Sequence, residues 1–127
     1  MIVTKSADVR RSVKFLLLLH GDAEAEAALS ADDRRAILDQ HFAFATFLRE
    51  SGALVASEAL GPPEQARTVR FDGSELLVTD GPFLESKEAL GGFYVIEAAS
   101  AEAATSMLER VPRSPGLFAE LLPIVTM

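Results

Sequence analysis

The chain has no cysteine, and this absence limits both its chemistry and its architecture. Without thiols it cannot form disulfides, use a cysteine nucleophile or build a zinc site of the cysteine type. Its two histidines share no helical register and its carboxylates are dispersed, so no recognisable metal-ligand set is present. We therefore expect no metal and no cofactor, and a cytoplasmic location suits a chain without cysteine.

Basic residues are also few. Twelve lysines and arginines against nineteen acidic residues give a formal net charge of −7. A surface of this sign repels phosphate backbones and anionic lipid headgroups. No apolar stretch approaches the length of a membrane span either. We therefore predict neither nucleic-acid nor membrane partners.

The longest leucine run is short. The apolar residues 15–19 follow Arg10, Arg11 and Lys14, and this arrangement imitates a secretory or twin-arginine signal. The run is shorter than the roughly 7 to 15 residues of a signal core, and no small-residue cleavage site follows closely. We predict that residues 13–20 form the first strand and that residues 1–12 are a flexible extension.

The remaining pattern alternates between strands and helices. A helix is predicted for residues 31–50, because Ser30 can cap its start and Gly52 can end it. At about 100° per residue its apolar face holds Ile37, Leu38, His41, Phe44, Ala45 and Leu48. Asp39, Gln40, Arg49 and Glu50 lie away from the centre of that face.

Turn residues divide the rest of the chain. Strands are predicted for residues 53–60, 92–98 and 116–125, a hairpin around Asp72-Gly73 for residues 66–79, and a helix for residues 101–111. This order matches the split βαβ layout of a ferredoxin-like α+β domain with an inserted hairpin. One domain is expected from the chain length.

Two predicted strands are apolar on both sides. In residues 92–98, Phe93 and Val95 alternate with Tyr94 and Ile96, and the first strand behaves in the same way. The two helices can cover only one face of the sheet, and the other face would expose a patch too large for a soluble monomer. We therefore predict a homodimer packed sheet to sheet. Which of Phe93 and Tyr94 faces the partner stays open.

The stretch "DGPFLESKEALGGFYVIE" resembles the signature of the YCII-related, or DGPF-domain, proteins, in which D-G-P-F precedes an E-x-K-E element and G-G-F-Y. The strands "VKFLLLLHGD" and "FAELLPI" are similar as well, so the likeness extends over a domain at residues 13–127. The resemblance implies a dimeric α+β barrel built on a ferredoxin-like protomer. It also implies a link to extracytoplasmic-function sigma factors and, in the wider group, acid–base chemistry through a histidine and an aspartate.

His41 is the first candidate for chemistry. It interrupts the apolar helix face and precedes Gly52 by eleven residues, which is the spacing of the histidine suspected in the wider YCII group. An imidazole there could be a general base if a carboxylate orients it, or it could be a core histidine bonded to a backbone carbonyl. The group's suspected aspartate is replaced by Val111. An orienting carboxylate would have to come from Glu58 or Asp80.

Other candidates surround the signature. Asp80 fits either a turn, with its carboxylate accepting backbone N–H bonds, or a site. Glu85 and Lys87 belong either to a solvated loop or to a binding segment beside a glycine pair. Tyr94, the only tyrosine, either binds a ligand or finds a partner at the rim of the sheet. His20 is predicted to be a loop residue.

Together these residues favour a small dimeric protein that binds a small metabolite, with a regulatory role as one use of that binding. Its pocket is expected between the first long helix and the DGPF segment, residues 80–88. The alternative is a lyase or isomerase-type enzyme with His41 as base and Asp80, Lys87 or Tyr94 positioning the substrate.

Overall fold

The structure, a computed structural model, describes residues 12–82 and 88–126 and shows a mixed α+β fold with antiparallel sheets. Residues 1–11, most of the predicted extension, lie outside the described residues. The strands are β1 (Val13–Asp22), β2 (Leu54–Ala59), β3 (Arg67–Asp72), β4 (Glu75–Asp80), β5 (Glu88–Ala98) and β6 (Phe118–Pro123). The helices are α1 (Ala23–Ala27), α2 (Ala31–Glu50) and α3 (Ala101–Met107), with short 3-10 turns at Pro63–Gln65 and Leu108–Arg110.

Helix α2 confirms the prediction for residues 31–50. The Ser30 hydroxyl accepts a hydrogen bond from the Asp33 N–H at 3.0 Å, and Gly52 follows the helix with a φ of 75°. Helix α1 was not predicted, and its cap is Asp22, whose carboxylate accepts from the Ala25 N–H at 3.1 Å. Within the described ranges, no helix is both long and apolar enough to cross a membrane.

The main sheet has four strands in the order β2-β5-β1-β6, and every neighbouring pair is antiparallel. Strand β5 starts at Glu88, four residues before the predicted start. The β1–β5 register shifts between Leu19 and His20, after which His20 pairs with Leu90 on one side and with Phe118 on the other. His20 is thus a strand residue and the loop prediction for it was wrong, because β5 and β6 extend far enough to pair with it on both sides.

One face of this sheet carries α2 and α3. The alternate residues of β1 that are buried, Phe15, Leu17 and Leu19, share one core cluster with Phe44 and Leu48 of α2 and with residues of α3. The same cluster contains Ala104 and Val111 and the β5 residues Tyr94, Ile96 and Ala98. The helices therefore lie together on one side, as the sequence predicted.

The opposite face points away from α2 and α3, and its apolar side chains lie beside two carboxylates, Glu58 and Glu120. We call it the open face, and it is defined by Leu16, Leu18, Phe93, Val95 and Leu122. Cross-strand partners point to the same side of a sheet, and Leu18 is opposite Phe93 while Leu16 is opposite Val95. Tyr94 is only 6% exposed, whereas Phe93 is half-buried. The structure thus places Tyr94 in the core and Phe93 on the open face.

The inserted hairpin forms a two-stranded sheet of its own from β3 and β4, which confirms the predicted hairpin. Gly73 takes a φ of 63° at its turn, and the base is closed by a Gly81 N–H to Ala66 carbonyl bond of 2.8 Å. Cross-strand pairing gathers apolar side chains on one side of the hairpin. These side chains, between 47% and 72% exposed, are Val69, Phe71, Leu76 and Val78.

Candidate functional site

A cavity of about 500 Å³ lies between α2 and the end of the sheet where β5 meets β2. One wall is a stripe of α2 side chains that recur three or four residues apart, as neighbours on one helix surface do. The opposite wall includes Gly91, Gly92, Tyr94 and Ser57. The residues that α2 contributes are Ile37, Leu38, His41, Phe42, Ala45 and Arg49.

The apolar face of α2 therefore has two parts. Its C-terminal part, Phe44 and Leu48, is buried on the sheet, as predicted. Leu38, which the sequence places on the same face, is 53% exposed and lines the cavity together with Phe42. Gly91 and Gly92 have no side chains with which to fill the space below the N-terminal part of the helix, and the cavity remains.

Helix α2 and strand β5 bring His41 and Tyr94 together in this cavity. The His41 Nδ1 and the Tyr94 hydroxyl are 2.9 Å apart, and the two rings are nearly parallel, with an interplanar angle of 10°. The Tyr94 ring also meets the Phe44 ring edge to face, with centroids 5.0 Å apart. Core packing on one side and the hydrogen bond on the other fix the position of the phenol.

Burial favours the neutral form of both groups of this pair. It lowers the pKa of His41, since the charged imidazolium loses solvation, and it raises the pKa of Tyr94, since the phenolate would lose it too. The direction of the hydrogen bond depends on the imidazole tautomer. If the phenol donates to Nδ1, Nε2 carries the hydrogen and can donate a hydrogen bond to a ligand. In the other tautomer Nε2 has a lone pair that could accept a proton.

The partner of His41 is thus a hydroxyl, neither the carboxylate nor the backbone carbonyl considered from the sequence. Val111, at the position of the group's suspected aspartate, is buried in the core. Glu58 borders the cavity, but it is opposite Phe93 in the β2–β5 register, so its side chain belongs to the open face. Asp80 is not among the described residues that line the cavity.

The DGPF segment lies only partly within the described residues, and Glu85 and Lys87 are outside them. Asp80 is the exposed last residue of β4, and Gly81 takes a φ of 96°, a conformation that suits a turn. Pro82 and Glu88, the described ends of the segment next to its gap, line a second cavity of about 470 Å³ at the base of the hairpin. The described part of the segment therefore borders a different space from the His41 cavity.

Sequence reasoning missed Arg49 and Ser57. Arg49 is off the centre of the core-facing stripe of α2, but the cavity extends to the side of that stripe and reaches Arg49. The spacing Leu38, Phe42, Ala45 and Arg49 carries this signal, because these positions share one side of a helix. Ser57 lines the cavity opposite Tyr94 in the β2–β5 register, and no motif marks it in the sequence.

Comparison with known proteins places the chain in a class. The family model of the YCII-related domain matches residues 13–125, so the chain belongs to the YCII-related family, as its resemblance indicated. The chain is also similar to an uncharacterised protein of Rhizobium meliloti (strain 1021), with 33% identity over 90 residues. That alignment covers 71% of this chain and 73% of the relative.

Proposed function

We propose that the protein is a homodimer that binds a small metabolite in the cavity beside α2. The observation that carries this proposal is the His41–Tyr94 pair, which is held at 2.9 Å within a cavity of about 500 Å³. Ligand sites are concave and largely apolar, with a few fixed polar groups that orient the ligand. The cavity has this character, since Leu38, Phe42 and Leu117 line it beside the polar pair.

A binding role accounts for the partner of His41 better than a catalytic one. A general base of the usual kind is oriented by a carboxylate, which also stabilises the imidazolium formed on proton transfer. Tyr94 is a neutral partner and offers no such charge. A neutral imidazole beside a phenol instead presents hydrogen-bonding groups that recognise a polar substituent.

The open face supports the proposed second copy of the chain, which would cover it. The strand order, with α2 and α3 on one side, supports assignment of the protomer to the ferredoxin-like class, and the uncovered apolar face supports a dimeric α+β barrel closed sheet to sheet. The hairpin adds a further apolar surface, with Phe71 72% exposed. An isolated two-stranded hairpin is marginally stable in water, so packing against a second copy would also stabilise it.

Acid–base catalysis of lyase or isomerase type is the second candidate. It is favoured by one observation, the burial that lowers the pKa of His41 and leaves an imidazole able to accept a proton at pH 7. In this reading Tyr94 takes the place of the orienting carboxylate. The candidate requires the tautomer in which Nδ1 donates to the Tyr94 oxygen and Nε2 faces the substrate.

Tyrosine fluorescence tests the proposal, because Tyr94 is the only tyrosine of a chain without tryptophan. A panel of small metabolites with apolar bodies is titrated into the protein while this emission is followed. We expect saturable changes with some members, weakened in His41→Gln and unchanged in Gln40→Glu, an exposed position on the same helix that does not line the cavity.

Each result separates the candidates. Emission that stays constant across the panel would contradict a binding site at Tyr94. Ligands that bind are then incubated with the protein and followed by proton NMR. Conversion that disappears in His41→Gln would favour the enzyme, whereas an unchanged spectrum would favour the binding protein.

A further inference from the structure

The side chain of Arg49 differs from those of several other arginines in having no partner among the residues that the structure describes. Arg34 and Arg113 donate to backbone carbonyls, and the Arg110 guanidinium lies 4.2 Å from the centroid of the Phe47 ring. Within residues 12–82 and 88–126, the Arg49 side chain makes neither a hydrogen bond nor an ion pair. Arg49 is an exposed residue that lines the cavity, so its always-charged side chain borders that space without a counter-ion among the described residues.

Helix geometry directs this charge toward the cavity. Side chains of an α-helix point back toward its N-terminus, so the Arg49 side chain extends over Ala45 in the direction of His41. The two residues are eight positions apart, which is about 12 Å along the helix axis. A long arginine side chain covers part of that separation. A ligand of modest size can therefore contact both groups.

Acidic side chains lie away from the Arg49 end. The backbone carbonyl of Glu26 accepts a hydrogen bond from the Arg34 side chain, so Glu26 lies beside the N-terminal part of α2, whereas Arg49 is in its last turn. The Glu26 carboxylate packs against Gly21. Glu58 belongs to the open face by its register. Among the described lining residues, Arg49 is the one arginine or lysine.

A dipole argument offers a simpler use for Arg49, because a cation in the last turn of a helix stabilises that helix. That effect requires no cavity and no ligand. If this were its whole role, replacing Arg49 would change the stability of the helix but not the preference of the cavity for one ligand charge over another, and this difference can be measured.

We propose that the cavity selects small carboxylates with an apolar body, which pack against Leu38 and Phe42 beside the His41–Tyr94 pair while Arg49 binds the carboxylate. The inference rests on the proposed binding function and adds the chemical class of the ligand. A planar guanidinium can donate two parallel hydrogen bonds to a carboxylate, and such charge-assisted pairs are stronger than neutral ones. An amide of the same shape satisfies only part of this geometry.

The test uses three probes with one apolar body and different charge: cyclohexanecarboxylate, cyclohexanecarboxamide and cyclohexylmethylammonium. None of them absorbs near the excitation band of tyrosine, so Tyr94 emission reports their binding directly. We expect the carboxylate to bind about tenfold or more tightly than the amide, because hydrogen bonds to charged groups are the stronger ones. We expect the ammonium probe to bind weakest.

Variants assign this preference to Arg49. Arg49→Gln should lower the affinity for the carboxylate to that for the amide and leave the affinity for the amide unchanged. Arg49→Lys keeps the charge without the planar pair of donors, so part of the preference should remain. The matched control is Arg35→Gln, which removes the same charge from an exposed position of the same helix that does not line the cavity. Circular dichroism checks that each variant is folded.

The outcomes separate this inference from the proposed function. Equal affinity for carboxylate and amide, tighter binding of the ammonium probe, or a preference that survives in Arg49→Gln would overturn the carboxylate inference and leave a binding cavity in place. No change of Tyr94 emission with any of the three probes would overturn both proposals.

Discussion

Replacement of Phe93 by aspartate is the most direct perturbation of the proposed dimer. Phe93 is half-buried on the open face, opposite Leu18 on one neighbouring strand and Glu58 on the other. In a dry interface an unpaired carboxylate costs roughly 3–5 kcal/mol. Because each 1.4 kcal/mol is about a tenfold change in Kd, a loss of about 4 kcal/mol weakens association nearly a thousandfold. The Glu58 carboxylate across the strand adds repulsion in the same direction.

The same substitution at the neighbouring position, Tyr94, should unfold the protomer and not only dissociate the dimer. Tyr94 is 6% exposed and packs against Phe44, so Tyr94→Asp places the charge in the core of the protomer. Loss of a core aromatic alone costs roughly 3–5 kcal/mol, out of a total stability of about 5–15 kcal/mol for a typical domain. We expect Tyr94→Asp to unfold. Thr46→Asp, on an exposed position of α2, adds the same charge away from both the core and the open face.

Light scattering at micromolar concentration and circular dichroism distinguish these three variants. We expect a folded monomer for Phe93→Asp, loss of the native spectrum for Tyr94→Asp, and a native dimer for Thr46→Asp. A Phe93→Asp protein that keeps both the native spectrum and the dimer mass would refute the proposed sheet-to-sheet interface. A wild-type chain that is monomeric at micromolar concentration would refute it as well.

Three further predictions concern the protomer. Burial lowers the pKa of His41, so the unfolded chain takes up this proton at a higher pH than the folded protein does. The wild type should therefore lose more stability than His41→Gln between about pH 7.5 and about pH 5.5. Equal losses in urea unfolding would contradict this. Tyr94→Phe removes the hydroxyl that pairs with His41 and should cost about 0.5–1.5 kcal/mol, with an unchanged unfolding midpoint as the contrary result. Gly92→Ala places a Cβ 3.0 Å from the Glu58 carbonyl and should destabilise by about 1–3 kcal/mol in the same assay. Gly91→Ala, whose Cβ would lie 3.8 Å from its nearest neighbour, is the control, and an equal effect of the two changes would argue against a close approach of the strands.

Several elements could be predicted from the sequence because their signals are local. Ser30 and Gly52 mark the start and end of α2 through a side-chain cap and a left-handed glycine. The Asp72-Gly73 pair marks the hairpin, since the turn needs a residue with positive φ. Such signals depend on neighbours within a few positions, so they can be read without knowledge of the rest of the fold.

The arrangement of the site depends on packing between distant segments. Tyr94 is 53 residues from His41, and nothing local to either residue specifies their hydrogen bond. Both sides of β5 are apolar, so the alternation alone does not decide whether Phe93 or Tyr94 enters the core. The β1–β5 and β2–β5 registers decide it, and they place Glu58 on the open face as well.

What the sequence by itself determined is the family, the order of elements and the existence of an apolar helix face with a histidine in it. Only the tertiary structure decided that Phe44 and Leu48 of that face pack on the sheet, whereas Ile37, His41 and Ala45 line a cavity. The physical reason is that periodicity gives the direction of a side chain relative to its own helix, whereas burial depends on what the opposing sheet offers at that point. Beside His41 the sheet contributes Gly91 and Gly92, and because these residues have no side chains the space stays open.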